Sequence, residues 1–288
     1  MHAKQWMMMR ILLNHYHPRK PEAVLQCLPQ EEIKAILSQE IPPDALRFAH
    51  PEAESVLTKI HYSWLIPELQ KHKTSTQRLF LAALSESQQS KIQSVLKLPG
   101  YTPIQLPSTV KKYFVNTFYR SLSYKEVLPA ACLPSSPLMP LSSWNTNALI
   151  ELIDVLGVYD IVDDVRRIIN RSQVIAIHDA LSAKQRAFLR SLLPQKEKVI
   201  GTPLKLVEWQ GDVSELKSLI QKRGILRLGR AFSGQHPDFL WHIAHILDRG
   251  RGMALSKFYT VSSSPGITPA LLQQVINVMN FLNGKSVQ

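Results

Sequence analysis

The sequence predicts an all-α protein built of helical repeats in two blocks. Three observations carry that expectation. Apolar residues recur three and four apart along most of the chain, with few alternating β-branched runs. A stretch of the first half returns in the second. Between the halves lies "LPAACLPSSPLMPLSSWN" (128–145), rich in proline and serine, which cannot continue a helix. With 288 residues the chain suits two domains of ordinary size. The expected division is an N-terminal block, residues 1–128, a linker, residues 129–144, and a C-terminal block, residues 145–288.

Taken in chain order, "HYHPRKPEAVLQCLP" from His15 and "AHPEAESVLTKI" from Ala49 each read as a helix opened by His-Pro. "AVLQCLPQEEIKAIL" (23–37) is a weak copy of a unit seen more clearly further on, with Pro29 where the other copies have serine. That unit is "LSESQQSKIQSVL" (84–96) and "LSAKQRAFLRSLL" (181–193). In each, the serine is a natural N-cap, followed by a polar turn and an apolar stripe. "TPIQL" (102–106) and "TPLKL" (202–206) follow the two copies in the same order. A helix–turn–helix unit used at least twice buries one stripe per copy and needs neighbours to complete a core, so the architecture expected is armadillo-like. "ALIELIDVLGVYDIVDDVRRII" (148–169) shows the helical spacing of apolar residues clearly. "ALLQQVINVMNFLNG" (270–284) reads as a helix, with Thr268 as cap, Pro269 in the first turn and Gly284 at the end.

Composition narrows the function. Apolar content is 45% and charged content 19%, which excludes a disordered chain. No apolar run approaches the ~18 residues that span a bilayer, and the start "MHAKQWMMMRILLNHYH" lacks a small-residue cleavage site. Two well-separated cysteines, Cys27 and Cys132, suggest a reducing compartment. The net charge of +12 invites an anionic partner. It is spread evenly, since residues 1–140 carry 16 basic and 10 acidic side chains and residues 141–288 carry 18 and 12. One dense stretch, with Lys217, Lys222, Arg223, Arg227 and Arg230 and no acid, forms a basic patch. It lacks the aromatic interleaving of single-strand binders, so a solvated or protein-binding helix face is the expectation, with nucleic acid as the alternative partner.

The chemistry-bearing residues crowd into "SGQHPDFLWHIAHILDRGRG" (233–252). His242 and His245 share a helix face with Asp248 three residues on. A zinc reading would use them with His236, but the H-E-x-x-H spacing is absent, and no metal or other cofactor is expected. No G-x-S-x-G or Walker-type loop is present, and adjacent Asp163 and Asp164 point about 100° apart on a helix, so no enzyme is expected. Pro237 suits a first helical turn, Asp238 complements the dipole there, and "DRGRG" reads as the helix end, with Arg249 and Arg251 near its negative pole.

These pieces resemble a known family. "QHPDFLWHIAHILD" (235–248) resembles the Glu-His-Pro-Gln repeat of the flagellar motor-switch protein FliG, with Gln235 in place of Glu and Asp238 in place of Gln. "HPRKPEAVLQCLPQEEIKAILS" (17–38) is similar to the same repeat. "VIAIHDALSAKQRAFLRSLL" (174–193) and "TPLKLVEWQGDVSELKSLIQKRG" (202–224) resemble the family's C-terminal repeat and the segment after it. The likeness touches about half the chain. It implies a fold like FliG's middle and C-terminal domains and a cytoplasmic scaffold that binds proteins of a membrane-associated motor or secretion complex, with a homo-oligomer compatible. His17, Pro18, Gln235, His236, Pro237 and Asp238 would then mark partner-binding surfaces, with Arg249 and Arg251 at the far end of the same helix. The family's charged torque helix is matched by Asp163, Asp164, Arg166, Arg167 and Arg171, a shorter charged face. The even basic charge and altered repeat order favour an adaptor of the related type III secretion apparatus, the SctK-type sorting-platform protein, at least as well as a motor role. Its expected place is the inner face of the bacterial inner membrane, reached through protein partners.

Overall fold

The computed structural model describes residues 3–17, 21–40, 53–98, 102, 104–122, 127–194, 204 and 206–284. Among them every regular element is helical and none is a strand. No described helix is long and apolar enough to cross a membrane. The chain divides into two compact units, Met1–Ser136 and Pro137–Gln288. The division falls within the Pro/Ser-rich stretch, which is packed on both sides of it. Ala130–Cys132 and Met139–Ser143 form 3-10 turns, and Leu133, Leu138 and Leu141 are fully buried. Proline stops regular helix here, while the Ala130–Cys132 turn packs on the Ala3–Tyr16 helix and the Met139–Ser143 turn on the Pro237–Ile246 helix.

The first unit opens with α1 (Ala3–Tyr16), α2 (Pro21–Leu25) and α3 (Gln30–Leu37). Leu13, Leu25 and Ile36 form their core, with Trp6, Met9, Val24, Leu28 and Ile33 against it. Arg10 donates from Nη1 to the Leu37 and Gln39 carbonyls, which answers the open end of α3. His17 donates its N–H to the Leu13 carbonyl at 2.9 Å, so it closes α1 rather than opening a helix. Pro18 lies outside the described residues, as does Pro51 of the second expected His-Pro start. Then follow α4 (Ala53–Leu57), a 3-10 turn (Tyr62–Trp64), α5 (Ile66–Gln70), α6 (Thr74–Ala82), α7 (Glu86–Leu96) and α8 (Ser108–Leu122). Phe80 of α6 meets Phe114 and Phe118 of α8 at 4.6 and 4.8 Å between ring centroids.

The second unit holds α9 (Thr146–Leu156), α10 (Val158–Arg167), α11 (Arg171–Ala180), α12 (Ala183–Leu192), α13 (Val213–Ala231), α14 (Pro237–Ile246), α15 (Arg249–Phe258) and α16 (Ile267–Leu282). The 19-residue α13 is its centre and packs against α9, α10, α11, α15 and α16. The helical pattern over 148–169 forms two helices, broken at Gly157. A Cβ on Gly157 would stand 2.1 Å from the Ile220 carbonyl oxygen, and one on Gly224 would stand 1.8 Å from that of Ile153. Backbone therefore meets backbone where α9 hands over to α10 beneath α13, and only glycine fits.

Two further boundaries differ from expectation. The last helix starts at Ile267, after Gly266 at φ +76°, and Thr268 is buried with its hydroxyl accepting from the Ser264 N–H at 3.0 Å. "DRGRG" begins a helix instead of ending one. Asp248 is the N-cap of α15, its Oδ1 accepting from the Arg251 N–H at 3.2 Å. Arg249 and Arg251 thus occupy the first turn of α15, where the dipole disfavours them, and Arg251 offsets this by pairing with Asp248.

The serine repeat is built alike in both units. The Ser85 N–H and hydroxyl donate to Oε1 of Gln88 at 3.4 and 2.9 Å, and the Ser182 N–H donates to Oε1 of Gln185 at 2.9 Å. Both glutamines are buried, and each amide turns inward to a carbonyl near the end of an earlier helix. Gln88 Nε2 donates to Leu57 and Ile60 at 2.8 and 2.9 Å, and Gln185 Nε2 donates to Asp154 at 3.0 Å. A constant offset of 97 residues relates Ser85 to Ser182, Gln88 to Gln185 and Leu57 to Asp154. The same offset relates the buried pairs Phe80 and Ile177, Leu84 and Leu181, and Ile92 and Leu189.

Candidate functional site

The His-Pro start of α14 is formed as its sequence predicts. His236 is the N-cap at φ −60°, ψ 132°, and its Nδ1 accepts from the Asp238 N–H at 3.2 Å, which requires an unprotonated Nδ1. Pro237 follows at the first helical position and is exposed, while His236 and Gln235 are half-buried. Asp238 corrects the expected surface. It is 4% exposed, tucked behind the cap, with Oδ2 3.9 Å from His236 Nδ1. The face offered outward is His236 and Pro237, edged by Gln235.

Further along α14 the histidines do not converge. His245 is buried and stacks on Trp241 with ring centroids 4.0 Å apart. Its Nδ1 donates to the Trp241 carbonyl at 2.8 Å, one turn back. Burial pushes its imidazole down to about 4, against the raising effect of that carbonyl, and the nearby His242 lowers it further. His242 meets the edge of Trp241 at 5.3 Å on the half-buried side. Asp248 is committed to its cap and to Arg251. No group of His, Cys, Asp and Glu able to hold a metal occurs among the described residues.

The basic stretch of α13 also needs one correction. Lys217, Lys222 and Arg230 are exposed and Arg223 is half-buried, but Arg227 points into the core at 1% exposure. There it forms a two-pronged ion pair with Asp160 of α10, Nε to Oδ2 at 3.1 Å and Nη2 to Oδ1 at 2.7 Å. Nη1 donates to Gln274 Oε1 of α16, and the guanidinium lies 5.5 Å from the centroid of the Tyr159 ring. Arg227 is buried because α10 and α16, which supply Asp160 and Gln274, close over its side of α13. Tyr159 and Gln274 were not singled out by sequence, and Asp160 was read only as part of an acidic run with Asp163 and Asp164. The only signal was an acid and a base each set in an otherwise apolar stripe.

The charged face of α10 is similarly divided. Asp164 is buried and accepts from the Leu206 N–H at 3.4 Å, so it does not belong to the surface. Asp163 is half-buried and pairs with Arg166 at 3.3 Å. Arg166 also donates from Nη2 to the Leu192 and Leu193 carbonyls at 3.2 and 2.9 Å, closing the end of α12. Arg167 and Arg171 are exposed. What remains outward is basic, on either side of the turn that joins α10 to α11.

Comparison of the chain with protein-family models, with curated proteins and with solved structures finds no match in any of the three.

Proposed function

We propose that the chain is a non-enzymatic scaffold that holds partner proteins of a flagellar-switch-like or type III secretion machine. The observation that carries this reading is the serine–glutamine latch, built the same way in both units. It supports a stacked, armadillo-like arrangement, FliG-like in character, whose outer faces serve other proteins. The exposed Pro237 beside His236 gives that outer face a defined feature, and His17 is exposed as well. On this reading the protein works in the cytoplasm at the inner face of the membrane, held there by its partners, and a homo-oligomer is compatible. The catalytic alternative is weakened by the separation of His242, His245 and Asp248. The nucleic-acid alternative is weakened by the burial of Arg227.

Affinity capture on the full chain tests the proposal. Identified export or motor-switch components should be retained, and Pro237→Glu should reduce their recovery about tenfold, the loss of one well-packed contact. A glutamate at that first-turn position suits the helix, so α14 should persist by circular dichroism. Recovery of none of these components, with retention on DNA or RNA that falls steeply with salt, would replace this reading with the nucleic-acid one.

A further inference from the structure

The turn between α10 and α11 holds an isoleucine outside its own protein. The Ile168 N–H bonds to the Asp164 carbonyl at 3.1 Å, closing α10. Asn170 caps α11, its Oδ1 accepting from the Ser172 N–H and hydroxyl at 3.1 and 2.7 Å. With both flanks tied, Ile169 stands 99% exposed. Arg166 and Arg167 precede it, Arg171 follows, and Ile175, also exposed, lies one turn beyond Arg171 on the same side of α11. The acids of α10 are engaged inward or paired, as described above, and two exposed acids stand at the margin, Glu208 after Val207 and Asp179 one turn beyond Ile175.

We infer that this corner docks on an anionic phospholipid surface, with Ile169 entering the acyl boundary and the arginines meeting the headgroups. The argument is one of shape and charge together. A side chain touching nothing of its own protein is a plug rather than a socket, and a bilayer yields around a plug without a preformed pocket. An arginine on each flank supplies attraction to anionic headgroups, and the chain's net charge of +12 adds to it at longer range. An acidic protein would also answer the arginines, but it would need a cavity matched to Ile169. The inference does not rest on the scaffold reading, which concerns the start of α14.

Co-sedimentation of the full chain with vesicles tests it. Vesicles of phosphatidylcholine and phosphatidylglycerol in equal parts should bind the protein, vesicles of phosphatidylcholine alone should not, and binding should weaken as salt rises. Ile169→Gln should weaken binding on the order of tenfold, the loss of one buried aliphatic side chain. Arg167→Glu combined with Arg171→Glu should abolish it. All three positions are exposed, so helicity should be unchanged in each variant. The inference is overturned by an absence of vesicle binding at low salt. It is also overturned by equal binding to both vesicle types, or by binding that follows the arginines and ignores Ile169, which marks a bare polyanion site. Capture on polyglutamate that depends on Ile169, without vesicle binding, assigns the corner to an acidic protein instead.

Discussion

A guanidinium at 1% exposure needs its charge and its donors answered from within. Arg227 is answered by Asp160, Gln274 and the Tyr159 ring, contributed by α10 and α16. Arg227→Met should therefore cost unit two about 3–5 kcal/mol, because Asp160 is left buried and unpaired. Combining it with Asp160→Leu should recover most of that loss, and urea denaturation of the two single variants and the double variant measures the coupling. His245 acts through the solvent proton instead. Its imidazole takes a proton near 6.5 when unfolded and near about 4 when folded, so between those values the unfolded chain binds more protons. Its stabilising contribution is therefore complete above 6.5 and declines as the pH falls through that window, by an amount on the order of 3 kcal/mol. Denaturation midpoints at neutral pH and near pH 5 should differ, and His245→Phe, which does not titrate, should narrow the difference.

Among the elements, the Ser-x-x-Gln segments carried the clearest local signal, since an N-cap serine with glutamine three residues on satisfies two orphan groups at a helix start. The inward bond of each glutamine was not legible. It depends on a carbonyl 31 residues earlier along the chain, and no local pattern encodes that distance. Gln185→Ala should destabilise unit two by about 1–3 kcal/mol, through loss of the cap and exposure of an unmet carbonyl. Gln88→Ala should do the same to unit one, where two carbonyls lose their donor. Thermal unfolding of the two variants checks both, and a loss no larger than that of a surface substitution would show the latches to be incidental. The His-Pro start of α14 was equally legible, because the missing N–H and fixed φ of proline act locally. The break at Gly157 and the fresh start at Asp248 were not. Both are decided by what the neighbouring helix brings within reach, as tertiary packing decides many helix ends.

Across the whole molecule, periodicity foretold the helical character of the described residues, and the boundary between the two units falls within the Pro/Ser-rich stretch. Charge was read less well. The count of +12 is a property of the composition, but Arg227, Asp160, Asp164 and Asp238 sit where only three-dimensional packing puts them, and their removal redraws the surface. The outward corner around Ile169 emerged only after the buried charges had been subtracted. The glycine contact under α13 carries a mechanical corollary. Where a glycine lets two main chains approach this closely, there is no room for either helix to move toward the other. Any side chain larger than hydrogen at position 157 or 224 would therefore act as a wedge, prying α9 and α13 apart and loosening the middle of unit two.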